Sequence, residues 1–87
     1  MKETLQEALK EIRLDTLLEA GYRYLAKDWV GDLWCYMEKP MRDEEDKLWF
    51  GGGPSFEVPM SWGLDDLCEW EDEEPLRIGN LLFEGEE

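Results

Sequence analysis

Histidine is missing from this chain, and cysteine is scarce. The 87 residues contain no histidine and two cysteines, Cys35 and Cys68. Without histidine, the usual Ser-His-Asp and Cys-His catalytic arrangements cannot form. Two cysteines outside a C-x-x-C motif provide neither a disulfide framework nor a transition-metal site. We expect two buried thiols in a reducing compartment, with a single Cys35–Cys68 disulfide as the alternative.

Several other functional signatures are also missing. No apolar run approaches the roughly 18 residues that a membrane span needs, and no secretory leader pattern opens the chain. The run Gly51-Gly52-Gly53 is not followed by the Lys-Ser/Thr of a phosphate loop, and no D-x-[DN]-x-[DN]-G calcium loop occurs. We therefore predict a cytoplasmic protein that is not an enzyme and that needs no cofactor.

Basic residues are scarce in the second half of the chain. Residues 1–42 contain eight acidic and seven basic side chains, whereas residues 43–87 contain fifteen acidic side chains against Lys47 and Arg77, so almost all of the net charge of −14 lies there. Such a chain repels bare nucleic acid and anionic membranes. Its charge instead favours a basic protein, a cationic peptide or metal ions as the partner.

Aromatic residues, by contrast, are plentiful. They make up 13% of the chain and include five tryptophans, which a disordered acidic tail would lack. We predict one small folded domain over residues 1–87, with residues 84–87 as a frayed acidic end.

The first third of the chain predicts a helical segment. Thr4 and Glu7 form a capping-box pattern, and Gly21 suits the left-handed residue after a helix C-terminus. Apolar residues fall on opposite faces before and after Arg13–Leu14, so we predict a break there, with Asp15 capping a second short helix.

The remainder predicts short strands. Residues 22–27 alternate as a strand, and residues 33–37, which are apolar on both faces, form the returning strand of a hairpin around a loop at 28–32. Residues 47–50 form a third strand, and residues 55–59 form an edge strand. We predict a polar loop at 41–46, a short helix from Ser61 through Leu67, and a short strand or turn at 76–83. The fold class is therefore α+β: an N-terminal helical segment packed on a three- to four-stranded antiparallel meander, with a short C-terminal helix.

Acidic clusters and nearby tryptophans are the candidate partner-binding residues. Rigidly held carboxylates can present charge as DNA phosphates do and so occupy a cationic groove, and tryptophan often dominates protein interfaces. A solvated surface that only confers solubility explains the same clusters, and both interpretations stay open. The candidates are Asp43, Glu44, Glu45, Asp46, Asp65, Asp66, Glu69, Glu71, Asp72, Glu73, Glu74, Trp29, Trp62 and Trp70.

Two segments carry a resemblance to a known group. Ala20-Gly21-Tyr22-Arg23-Tyr24-Leu25-Ala26-Lys27-Asp28, continuing through Gly31-Asp32-Leu33 to Lys39-Pro40, and later Trp70-Glu71-Asp72-Glu73-Glu74-Pro75, resemble small hypothetical proteins of phages and prophages of Gram-positive bacteria. The likeness covers about half the chain, chiefly residues 14–40 and 70–78. The chain departs from the group at Trp29-Val30, where polar residues are usual, and at Asp43–Asp46, which is more acidic.

A phage origin implies a class of function. Small acidic phage proteins are often inhibitors of host machinery, and several anti-CRISPR proteins are DNA mimics that fill the basic groove of an RNA-guided nuclease. The resemblance therefore implies an inhibitor, monomeric or homodimeric, in the host cytoplasm. The alternatives are a phage structural, assembly or regulatory protein whose acid serves solubility, and a carboxylate-rich calcium-binding module.

Overall fold

The computed structural model describes residues 5–83, apart from the side chains of residues 6, 7, 82 and 83. The predicted cap at Thr4 and the predicted frayed end at 84–87 lie outside the described residues. The elements in chain order are α1 (Leu5–Glu19), β1 (Tyr24–Lys27), β2 (Leu33–Tyr36), β3 (Met41–Asp43), β4 (Leu48–Phe50), β5 (Ser55–Glu57), a 3-10 turn (Met60–Trp62), β6 (Leu76–Arg77) and α2 (Ile78–Phe83).

Helix α1 is continuous, so the predicted break at Arg13–Leu14 is wrong. The prediction assumed that both apolar faces must be buried. Instead Leu14 and Leu17 are buried, whereas Leu5 and Ile12 remain 75% and 59% exposed. A straight helix can bury one apolar stripe and leave the other in solvent.

Gly21 ends the helix as predicted. Its φ is +102°, a left-handed conformation that glycine adopts without steric cost. The amide of Tyr22 donates to the carbonyl of Leu17 at 2.9 Å, and the amide of Gly21 donates to that of Leu18 at 3.0 Å. These two bonds form a Schellman motif, which leads the chain directly into β1.

The predicted α+β fold class, with its antiparallel sheet and short C-terminal helix, is confirmed. Four strands form a sheet in the order β5-β2-β1-β6, and β3 and β4 form a separate two-stranded sheet. The 28–32 loop of the β1–β2 hairpin is also confirmed, since the amide of Asp28 bonds the carbonyl of Asp32 and the amide of Asp32 bonds Oδ1 of Asp28.

Three local predictions after the first hairpin are wrong. Met41–Asp43 is strand β3, not loop, because it pairs in register with β4, with Arg42 opposite Trp49. No helix runs from Ser61 to Leu67. The 3-10 turn ends at Gly63, which has a φ of 75° and whose amide bonds the carbonyl of Met60, so the helical hydrogen-bond pattern stops there. The short C-terminal helix is α2, which occupies most of the 76–83 stretch predicted as a short strand or turn; only Leu76–Arg77 is a strand there, and the residues after it form helical hydrogen bonds instead.

The four-stranded sheet separates two apolar cores. Leu25, Leu33 and Cys35 lie on the face that packs with Leu14 and Leu17 of α1. Side chains of the other face, including Ala26 and Tyr36, pack against Trp49 of β4, with Trp70 beside them. The β3–β4 hairpin and the acidic segment around Trp70 therefore cover the face that α1 leaves open.

Candidate protein interface

The first acidic cluster is the turn between β3 and β4. Oδ1 of Asp43 accepts the backbone amides of Glu45 at 3.0 Å and Asp46 at 3.1 Å, and Asp43 is half-buried. Asp43 therefore holds the turn, as aspartate commonly does through bonds to nearby amides. Glu44, Glu45 and Asp46 are exposed at its tip.

The second acidic cluster, Glu69–Glu74, forms a loop fixed by one of its own carboxylates. Oδ2 of Asp72 accepts the backbone amide of Glu69 at 2.9 Å, and the amide of Asp72 bonds the carbonyl of Glu69 at 3.1 Å. Glu74 pairs with Lys39 at 3.2 Å. Glu71 and Glu73 are exposed and belong to none of the ion pairs found within residues 5–83.

Arg42 joins these two clusters. Its guanidinium carbon lies 3.9 Å from the ring centroid of Trp70, and its Nη2 donates to the Trp70 carbonyl at 2.7 Å. Its Nη1 pairs with the Glu44 carboxylate. Because the Arg42 side chain is only 15% exposed, water screens these contacts weakly. The two acidic clusters are therefore neighbours on one side of the molecule.

Lys27, at the end of β1, ties the second cluster to the sheet. Its Nζ lies 3.5 Å from Oε1 of Glu69 and also donates to the carbonyl of Asp65, while its own carbonyl accepts the Trp49 indole at 3.1 Å. The side chain is 11% exposed. Burying an amino group without a partner is costly, so these contacts keep the lysine in place.

The third cluster, Asp65 with Asp66, borders the helix instead. Asp66 pairs with Lys10 of α1 at 3.3 Å, and Asp65 is half-buried beside Lys27. The structure thus brings Asp43–Asp46 and Glu69–Glu74 together across Arg42 and leaves Asp65–Asp66 next to α1. We call five exposed carboxylates of the first two clusters the acidic surface: Glu44, Glu45, Asp46, Glu71 and Glu73.

The three candidate tryptophans differ in exposure. Trp29 is 57% exposed and adjoins the first cluster, since its amide bonds the Lys47 carbonyl at 3.2 Å and its ring lies 4.5 Å from Lys47 Nζ. Trp70 is half-buried between Arg42 and Trp49. Trp62 is half-buried against Phe56, at 6.2 Å between ring centroids, and belongs to the other core.

Both cysteines are buried free thiols, as predicted. Burial raises the pKa of Cys35 and of Cys68 to about 11. The pKa of Tyr36 rises to about 12, because the ring is buried and the Asp28 carboxylate is close to it. Thiols with such pKa values stay protonated near neutral pH and are poor nucleophiles.

Sequence reasoning missed Lys27 and Arg42. Both contacts span large separations along the chain: Lys27 reaches Glu69, and Arg42 reaches Trp70. The sequence did contain one signal for Arg42: it immediately precedes the acidic turn, in a region with few other cations. That signal predicts that Arg42 pairs with an acid but does not identify the tryptophan on which it stacks.

Comparison with known proteins finds no matching family model, no matching curated protein and no matching solved structure. Within residues 5–83, no group of three or more histidine, cysteine, aspartate or glutamate side chains could hold a metal ion. None of the described helices is both long enough and apolar enough to span a membrane.

Proposed function

We propose that this chain is a phage-encoded acidic inhibitor that binds a basic, nucleic-acid-binding protein in the host cytoplasm, acting as a DNA mimic against an RNA-guided nuclease. The observation that carries the proposal is the stacking of Arg42 on Trp70, which holds two acidic clusters side by side. Exposed Trp29 at the edge of the first cluster provides an apolar anchor of the kind that interfaces use.

The charges favour this class of partner. The chain has a net charge of −14, and a protein that binds nucleic acid presents lysine and arginine where phosphates bind. Carboxylates can accept bidentate hydrogen bonds from arginine, as phosphates do. The field of the acidic surface also accelerates association with a basic groove, and salt weakens that effect.

The decisive experiment is competition with DNA. Purified guide-loaded nucleases from Gram-positive bacteria are incubated with a fluorescent target duplex, and the protein is added while polarisation is recorded at low and at moderate salt. We expect displacement of the duplex from at least one nuclease, with an affinity that falls as salt rises. If no nuclease releases its duplex at low salt, the assignment to RNA-guided nucleases is wrong.

A matched pair of variants tests the surface. The variant E45K/D46K/E71K reverses three exposed charges of the acidic surface, and E11K/D15K/E19K reverses three exposed charges of α1. Both change the net charge equally, and none of the six residues belongs to an ion pair of the described residues. At about 0.5–1 kcal/mol for each lost charge contact, the first should weaken binding roughly 10- to 100-fold. Equal losses in both variants would point to net charge alone.

Exposed apolar residues on α1 favour a second candidate function, that of a phage assembly protein. Leu5 and Ile12 lie on one stripe of the helix and remain largely in solvent. Exposed apolar surface of this kind often contacts another protein. A homo-oligomer that serves phage assembly would use this stripe while its acid serves solubility. Light scattering separates the candidates, since a concentration-dependent dimer that L5E/I12E abolishes supports assembly.

A further inference from the structure

A groove between the two sheets is the strongest unassigned feature. It has a volume of about 310 Å³ and lies where the β3–β4 hairpin and the glycine run approach the inner strand β2 and the edge strand β5 of the four-stranded sheet. Its lining is mainly glycine and aromatic side chains, among them Trp34, Tyr36 and Phe50, with Asp28 as its one carboxylate. This combination fits a ligand with both a flat apolar face and a positive charge.

The aromatic wall is accessible from solvent. Phe50 is 47% exposed and Leu48 is 38% exposed at the mouth of the groove, and Trp34 is half-buried inside it. Gly52 lies so close to Tyr36 that a Cβ there would be 2.5 Å from the ring. The glycine therefore lets the loop pack closely on one side of Tyr36, next to the groove.

Trp34 differs from the other four tryptophans of the chain. Trp29, Trp62 and Trp70 each have a lysine or arginine near the ring, and Trp49 contacts Trp70 edge-on. Among the described residues, Trp34 forms no cation–π pair and no aromatic ring pair. Trp34 packs against the core of Ala26, Tyr36 and Trp49, and the part of the side chain that lines the groove together with Asp28 is the surface available for cation stacking.

Asp28 provides the charge. One of its oxygens, Oδ1, accepts the Asp32 amide at 2.9 Å, which fixes the side chain in the loop. Asp28 forms none of the ion pairs found in the described part of the chain. The carboxylate is therefore held in place, and no lysine or arginine within residues 5–83 pairs with its charge.

We propose that this groove receives an arginine side chain of the basic partner, with the guanidinium stacked on Trp34 and paired with Asp28. Arginine fits better than lysine because a planar guanidinium stacks on indole and bonds a carboxylate at the same time. The inference rests on the proposed function for the existence of a basic partner, and it adds the group of that partner that enters the protein.

A peptide titration tests the groove without any nuclease. The full-length ¹⁵N-labelled protein is titrated with acetyl-Gly-Arg-Gly-amide, and the indole N–H signals are followed by NMR. The matched probe replaces arginine with citrulline, which keeps the shape but lacks the charge. We expect the Trp34 indole signal to move in a saturable way with arginine and to stay in place with citrulline.

Two isosteric variants locate the charge. D28N keeps Oδ1 as an acceptor for the Asp32 amide, so the loop is retained, while D15N removes an exposed charge of α1, outside both the groove and the acidic surface. We expect D28N to weaken arginine binding about fivefold and D15N to leave it nearly unchanged. Equal effects of the two variants, equal binding of citrulline, or an unmoved Trp34 signal would overturn the proposal. Uptake of arginine by a protein that displaces no DNA would instead count against the proposed function alone.

Discussion

The stacking of Arg42 on Trp70 can be measured with a double-mutant cycle. Arg42→Met keeps an unbranched side chain but removes the guanidinium, and Trp70→Leu removes the indole. The hydrogen bond from Arg42 goes to the backbone carbonyl of Trp70, which survives the second substitution. The Glu44 pair and the contact between Trp70 and Trp49 are each lost with one substitution alone, so they cancel in the cycle. The coupling energy therefore isolates the guanidinium–indole contact.

The expected coupling follows from distance and burial. The guanidinium carbon is 3.9 Å from the ring centroid, and the arginine side chain is 15% exposed. Cation–π contacts contribute about 0.5–1 kcal/mol at exposed sites and about 2 kcal/mol when desolvated. We expect a coupling of about 1–2 kcal/mol, measured from urea unfolding followed by far-UV circular dichroism.

The protein contains a natural comparison for this contact. Arg13 also donates to the carbonyl of the tryptophan it faces, Trp62, at 2.9 Å, but its guanidinium carbon lies 5.8 Å from the ring centroid. The cycle of Arg13→Met with Trp62→Leu should give about 0.5 kcal/mol or less, because the longer distance places the pair near the limit of the interaction. The ranking of the two cycles is the prediction.

A coupling of Arg42 with Trp70 below about 0.3 kcal/mol would refute the reasoning, because that is the error within which independent sites add. The two acidic clusters would then not be joined by this contact, and the main support for the proposed function would be lost. A coupling at the Arg13 site as large as that at Arg42 would show that ring distance does not decide the energy.

Other consequences can be checked with the same unfolding assay. Gly52→Ala places a Cβ 2.5 Å from the Tyr36 ring, so we expect a loss of about 1–3 kcal/mol, and an unchanged urea midpoint would contradict that contact. Cys35 and Cys68 should react with a thiol reagent only as fast as the protein opens, whereas rapid stoichiometric labelling of the native state would show that they are accessible. The pKa of both thiols rises from 9.0 to about 11 on folding. The contribution of the neutral thiols to the free energy of unfolding is therefore complete below pH 9 and falls as the pH rises to about 11. Urea midpoints measured at successive pH values would reveal this fall. Added salt should raise the melting temperature, because it screens the repulsion of a −14 chain, while it weakens partner binding; a melting temperature that falls with salt would show that ion pairs outweigh repulsion.

Local signals predicted the end of the first helix and the first hairpin well. Gly21 at a helix end and the loop at 28–32 are decided by residues close in sequence, so composition and alternation were enough. The break at Arg13–Leu14 failed because sequence alone does not show which apolar face stays in solvent. The helix from Ser61 failed because Gly63 adopts a left-handed conformation and ends the turn.

The candidate site was predicted less completely for a related reason. The acidic clusters can be read directly from the sequence. Most of their carboxylates are exposed to solvent, as expected for a run of charged residues. Their arrangement depends on Trp70, which the sequence places within a run of acids but the structure places half-buried against Trp49. Trp49 and Trp70 are 21 residues apart along the chain, and such a contact leaves no periodic pattern in the sequence. Only the folded structure reveals it.

The charge asymmetry of the sequence also has a role inside the fold. Four cations from residues 1–42 pair with acids from residues 43–87: Lys10 with Asp66, Lys27 with Glu69, Lys39 with Glu74, and Arg42 with Glu44. The pairs of Lys10 and Lys39 are the more exposed and contribute little to stability, about 0–1 kcal/mol each. Those of Lys27 and Arg42 include a mostly buried cation and fix the two acidic clusters in position. These four cations pair with other acids, and the exposed carboxylates of Glu45, Asp46, Glu71 and Glu73 belong to none of the ion pairs of residues 5–83, which is what a surface that attracts a basic partner requires.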